Sequence, residues 1–98
     1  MGKNEVIDIV RKYKEMVLST IGPASVYLYG SYSKGSARED SDIDVAVVVP
    51  EVNGDFIKVS AALWGLTWDL NTLIEPVLID ARYPSPLYAD ILQTGVLV

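Results

Sequence analysis

Apolar residues recur along the chain with two different periods. Between residues 5 and 20, Val6, Val10, Tyr13 and Val17 fall three or four apart with Ile9 beside them, and charged residues fill most of the opposite side. That spacing predicts an amphipathic helix, capped by Asn4 and stopped by Gly22-Pro23. A second helix is expected over residues 55–71. It carries two apolar stripes: Phe56, Val59, Leu63, Leu66 and Leu70 on one, Ile57, Ala61, Trp64 and Trp68 on the other. One stripe should meet a sheet. The tryptophan stripe either packs under another element of the chain or forms a partner interface, where aromatic residues are enriched. Ser85 and Pro86 are placed as N-cap and first turn of a short helix to about Thr94, ended by Gly95.

Between these helices the period shortens. Residues 25–29 alternate small or polar with apolar and aromatic side chains until Gly30 stops them, which reads as a strand running into a turn. Residues 43–49 are almost continuously apolar and β-branched, the look of a strand buried on both faces. A third strand fits residues 73–79. Helical and strand segments in this order predict an α/β (α+β) fold, a mixed β-sheet packed with helices. Ninety-eight residues make one domain, 1–98, with no repeat, linker or low-complexity tract.

The candidate chemistry lies between the first two strands, in Tyr29-Gly30-Ser31-Tyr32-Ser33-Lys34-Gly35-Ser36-Ala37-Arg38-Glu39-Asp40-Ser41-Asp42-Ile43-Asp44. Gly permits positive φ, and a Ser after it offers an amide and a hydroxyl to an anion. If residues 31–34 form a short helix, its N-terminus faces a phosphate. Asp42 and Asp44 are two apart at the entrance of a strand, so both carboxylates converge on one spot. Two bare carboxylates that close repel each other unless a cation lies between them, and Mg²⁺ is bound through one or two carboxylates plus substrate phosphates. A lone Gly-Ser is usually just a turn, and Asp-x-Asp before a strand is often a solvated loop. Their joint occurrence at the end of one strand and the start of the next points to a metal-chelated triphosphate.

Three other motifs fail. A P-loop needs Lys and Ser or Thr after its second Gly, whereas Ser36 and Ala37 follow Gly35. No Gly-x-Gly-x-x-Gly fingerprint occurs. An EF-hand drawn from Asp40, Asp42 and Asp44 to Glu51 puts Val45 where the sharp turn demands Gly, and leaves an apolar loop that a strand explains better.

The order Gly-Ser, ten residues, Asp-x-Asp resembles the signature of the nucleotidyltransferase superfamily that includes DNA polymerase β. The short length is similar to the minimal nucleotidyltransferases found as antitoxin partners of HEPN-domain toxins. The resemblance implies a nucleotidyltransferase-like fold in which Gly30 and Ser31 hold the terminal phosphates and Asp42 and Asp44 bind the metals. It also implies a third carboxylate on a later strand, for which Glu75 is the candidate. The family more often has Asp there, and Pro76 marks an edge or a strand start. Lys34 and Arg38 are placed to neutralise leaving-group charge; Lys34 could equally be a solvated loop lysine, and Arg38 could instead pair with Glu39 or Asp40.

The reaction so implied is a two-metal, in-line displacement at the α-phosphorus of a nucleoside triphosphate, ATP first among them, moving an NMP to a hydroxyl of a protein or small molecule. The site is expected at the sheet edge. The alternative is a non-catalytic antitoxin that neutralises a partner by binding. A HEPN-domain protein and further copies of the chain are the expected partners.

Composition narrows the rest. No His or Cys is present, which removes imidazole catalysis, His-metal sites and zinc-thiolate sites, and leaves carboxylates for proton transfer. The net charge of −5 argues against broad nucleic-acid binding, which needs clustered Lys and Arg. No apolar stretch approaches the ~20 residues of a membrane span and no secretory signal pattern opens the chain, so cytoplasmic residence is expected.

Overall fold

In this computed structural model, which describes residues 1–38 and 40–98, helices and strands interleave along the chain. The elements are α1 (Lys3–Ile21), β1 (Ser25–Tyr29), α2 (Ser31–Lys34), β2 (Ile43–Val49), α3 (Phe56–Thr67), β3 (Ile74–Asp80), α4 (Pro86–Thr94) and β4 (Val96–Leu97). The strands form one sheet in the order β3-β2-β1-β4. β2 runs antiparallel to β1 and parallel to β3, and β4 is antiparallel to β1. The expected mixed sheet is present, and the apolar run of β2 over residues 45–49 is explained by its interior place.

Alternation sends the side chains of β2 to two different layers. Val45, Val47 and Val49 meet Val6, Val10, Tyr13 and Val17 of α1 and Leu63 of α3. Ala46 and Val48 face the other way and pack, with Ile79 of β3, under Ile91 of α4. The Tyr13 hydroxyl donates to the Leu63 carbonyl at 2.7 Å and ties α1 to α3 inside the first layer. At the far end of the sheet Asp80, 7% exposed, accepts from the amides of Val52 and Arg82 and from the Arg82 guanidinium, and so fastens the chain leaving β2 to the end of β3. Among the described residues no helix is long and apolar enough to cross a membrane.

Several boundaries differ from those expected. α1 begins at Lys3, because the Val6 amide closes its first turn on the Gly2 carbonyl; Asn4 lies inside the helix and caps nothing. α3 is capped by Asp55, whose carboxylate accepts from the amides of Ile57 and Lys58, and it ends at Thr67. Beyond Thr67 the amides of Trp68, Asp69 and Leu70 reach back three residues, and the Asn71 side chain accepts from the Leu73 amide to turn the chain into β3. A short polar side chain has there outcompeted the helix for a backbone donor. Pro76 sits on an edge strand, where its missing amide is tolerated, as expected. α4 follows its predicted Ser85 cap, the Ser85 hydroxyl accepting from the Tyr88 amide at 3.1 Å. The tryptophan stripe of α3 is not packed under another element: Ile57 is 78% exposed, Trp64 45% and Trp68 79%.

Replacing Tyr13 with Phe keeps the buried ring and removes the one hydrogen bond that joins α1 to α3 through a side chain of the core. Urea unfolding of Tyr13→Phe should show a loss of about 1 kcal/mol with an unchanged slope.

Candidate active site

The pairing of three strands lines up the side chains of the site. Tyr29 of β1 lies opposite Asp44 of β2, and Asp44 lies beside Glu75 of β3. Residues directly across from one another project from the same face, so Tyr29, Asp44 and Glu75 form a row across the sheet on the α4 side. α4 covers the face only further along, at Ala46, Val48 and Ile79. The row is left open where the strands begin or end.

Asp42 precedes β2 by one residue and joins this row electrostatically. The Asp44 carboxyl is raised above its ordinary value, first by burial and then by repulsion from Asp42. Glu75 is raised likewise by partial desolvation, by the charges of Asp42 and Asp44, and by a hydrogen bond shared with Asp42 in the protonated form. The Tyr29 phenol is raised by burial, Asp44 and Glu75 in that order. Among the described residues no ion pair reaches Asp42, Asp44 or Glu75. The result is a patch of unmatched negative charge made of hard oxygen donors.

The turn after β1 is shaped around one of these carboxylates. Gly30 has φ 72° and serves as N-cap of α2; a Cβ there would run into Oδ2 of Asp44 and lie 3.2 Å from its Cγ. Glycine is therefore required twice, for the backbone angle and for the approach of the carboxylate. Ser31 opens α2 and is half-buried, as the expected turn into a short helix demands. The loop that follows is fastened by Tyr32, 3% exposed, whose hydroxyl donates to the Arg38 carbonyl at 3.2 Å. Ser41 completes the fastening: its hydroxyl accepts from the Arg38 amide at 2.7 Å, and its own amide donates back to the Arg38 carbonyl.

Gly30, Ser31, Asp42, Asp44 and Glu75 are thus brought together around one end of the sheet. The site spans interior and edge strands, with only Glu75 on the lateral edge, because β2 is central. Lys34 is exposed and forms an ion pair with Asp90 of α4 at 3.8 Å. Arg38 is exposed and makes no ion pair with Asp40 among the described residues, while its pairing with Glu39 lies outside them. Tyr29 and Ser41 stand outside the site residues expected from the sequence. The alternation of β1 carries the signal for Tyr29, and a Ser three residues after a loop residue is a common local clasp.

Oxygen donors with unmatched charge and a cleared approach at Gly30 fit a hard divalent cation. Among the described residues, no three carboxylates are already gathered tightly enough to encircle an ion. Two carboxylates with triphosphate oxygens suffice for Mg²⁺, and a third can close on it. The row lies on an open surface; a concavity of about 510 Å³ is found at the other end of the sheet, between Thr20, Pro23, Val49 and Val59, away from these groups.

Comparison with known proteins gives the family. The family model described as nucleotidyltransferase domain matches residues 6–89, and the chain belongs to that family. Over 101 aligned residues it is 28% identical to a protein named as a candidate protein adenylyltransferase of Methanocaldococcus jannaschii, covering 96% of this chain and 99% of that one. It is 34% identical over 71 residues to the protein adenylyltransferase MntA of Thermococcus cleftensis, covering 67% of this chain and 72% of the relative. Among solved structures it is similar to a toxin-antitoxin complex with AMP-PNP, with a TM-score of 0.60 and 27% identity over 99% of this chain and 72% of that chain. The enzyme class is a nucleotidyltransferase on a mixed α/β fold.

Two outcomes follow from the crowding of like charge. Because Asp44 and Glu75 titrate above their ordinary values, their contribution to stability is complete below pH roughly 4 and is lost as pH rises through the raised values. Without divalent cation at neutral pH, Asp42→Asn should therefore melt at a higher temperature than the native chain, and Glu75 should titrate lower when followed by carboxyl-carbon NMR. Gly30→Ala should act in the opposite sense, losing about 1–3 kcal/mol in chemical unfolding from the positive-φ backbone alone, with chemical-shift changes at Asp44 as its carboxylate is displaced.

Proposed function

We propose that this chain moves AMP from ATP to a hydroxyl of a protein acceptor with Mg²⁺, and that it acts in the cytoplasm as the antitoxin of a HEPN-domain toxin. The observation that carries the reading is the strand register that sets Asp44 beside Glu75 with Asp42 within electrostatic reach. Asp42 and Asp44 would hold the metal, with Glu75 as the third ligand. Mg²⁺ supplies charge neutralisation and Lewis acidity at the phosphates when bound. Gly30 and Ser31 would hold the terminal phosphates through the amide and hydroxyl at the start of α2.

Glu75, set beside Asp44 by the strand register, is placed to take the acceptor proton. The acceptor oxygen bonds to the α-phosphorus, the bond to the bridging oxygen breaks, and pyrophosphate leaves with its charge near Lys34 and Arg38. The Lys34–Asp90 pair is exposed and weak, so it can yield to a phosphate. An open row of carboxylates suits an acceptor side chain presented by another protein, in keeping with relatives named protein adenylyltransferases and a similar structure named a toxin-antitoxin complex.

The test is transfer of label from α-labelled ATP into lysate of the source cells. With Mg²⁺ the native chain should label a discrete protein, and the double variant Asp42→Asn, Asp44→Asn should fall by more than about a hundredfold while keeping its fold. A chelator should abolish the signal. No label from a folded native chain would overturn transfer and leave complex formation as the activity.

A further inference from the structure

α3 presents to solvent a face that none of the described residues covers. Ile57, Ala61, Trp64, Gly65 and Trp68 fall within one side of the helix, and Lys58 is the one charged side chain between Phe56 and Thr67. Ile57 and Trp68 are more than three-quarters exposed and Trp64 nearly half. The opposite side of the helix, with Leu63 and Thr67, is buried against the sheet. Scattered apolar residues need no explanation, but a contiguous stripe of this size on a small domain does.

We propose that this face takes a second copy of the chain, with the two α3 helices packed antiparallel about a two-fold axis. The stripe is complementary to itself. Bulky side chains stand at Ile57, Trp64 and Trp68 and small ones at Ala61 and Gly65. When two such helices run antiparallel about a point between Ala62 and Leu63, Ile57 of one copy meets the second copy's Trp68, and Ala61 receives the second copy's Trp64. The Trp64 indole fills a place where a small residue lets the helices approach, and Trp68 stacks on Ile57 at the two ends of the stripe.

The charged flank agrees. Lys58 and Asp69 lie on the same side of the stripe, near its two ends, and both are exposed. In an isologous antiparallel pair the same flank of each copy is juxtaposed, so each Lys58 comes near the second copy's Asp69. Neither makes an ion pair within the chain among the described residues.

Area sets the strength. Aromatic side chains bury about 150–250 Å² each when covered, so the exposed stripe offers on the order of 500 Å² per copy. Two copies together reach roughly 1,000 Å², the low end for a specific interface, and the dimer is a weak one. The carboxylate row lies on the other face of the sheet, so pairing through α3 leaves both sites open and the inference stands apart from the transfer reaction.

Sedimentation equilibrium from about 1 to about 100 µM covers the range in which so small an interface associates. The weight-average mass should rise from the 10.7 kDa of one chain toward twice that value. Trp68→Glu should weaken association by at least about tenfold. Lys58→Asp and Asp69→Lys should each weaken it about threefold, and the two changes in one chain should restore it. All three positions are exposed, and circular dichroism confirms the fold of each variant. A native chain of single-chain mass at every concentration would overturn the proposal and assign the stripe to a different protein. So would a dimer indifferent to Trp68→Glu, or a double charge reversal that associates no better than either single one.

Discussion

A slip of one residue in the pairing of β2 would turn each of its side chains to the opposite face of the sheet. Val45, Val47 and Val49 would leave the layer of α1 and α3, and Asp44 would be driven into it. The groups waiting there are Val6, Val10, Val17 and Leu63, none of which can satisfy a carboxylate, together with a Tyr13 hydroxyl already donated to a carbonyl. The register of β2 is thus held by burial on both faces, and the positions of Tyr29, Asp44 and Glu75 follow from that register. The apolar core specifies where the polar site stands, although it contributes none of its chemistry.

Much of this was legible from local pattern. The buried stripe of α1 is the one its spacing names, and β1 and β2 begin and end where alternation and Gly30 say they should. What could not be read depends on pairings between distant segments. β4 is only Val96–Leu97, too short to show a period, and exists because the backbone of Tyr27 and Leu28 offers it a partner. α3 ends short of the limit its apolar spacing predicts, because that spacing continues to Leu70 while Asn71 diverts the backbone. In the site, Gly30, Ser31, Asp42 and Asp44 announce themselves within fifteen residues. Glu75 rests on a parallel pairing no local window shows, and the ion pair of Lys34 with Asp90 needs α4 to be placed first.

The carboxylates place local stability and chemistry in opposition. In a fold of 98 residues each crowded charge matters, yet Asp42, Asp44 and Glu75 are set together with no ion-pairing cation among the described residues. Proteins tolerate such frustration where a ligand relieves it. The close approach of Asp44 to Gly30 belongs to the same compromise: the turn gives up a side chain and accepts a left-handed backbone so that a carboxylate can stand at the mouth of the strand. An ordinary turn would be more stable and would hold the acid away from Gly30.

The sheet separates these two kinds of surface. Its one face is sealed by α1 and α3, and the outer side of α3 is apolar; its other face is covered by α4 only in part, and the uncovered part is acidic. A small domain has few ways to expose both an anionic site and an apolar stripe without one disturbing the other. Low-dielectric side chains beside the carboxylates would raise their desolvation further, while charges beside the tryptophans would have to be desolvated whenever the stripe is covered. Setting them on opposite sides of a sheet, with a layer of aliphatic side chains between, lets each be tuned alone. The proposed association through α3 and the proposed cation binding at Asp44 would then be independent equilibria, with no coupling between them to first order.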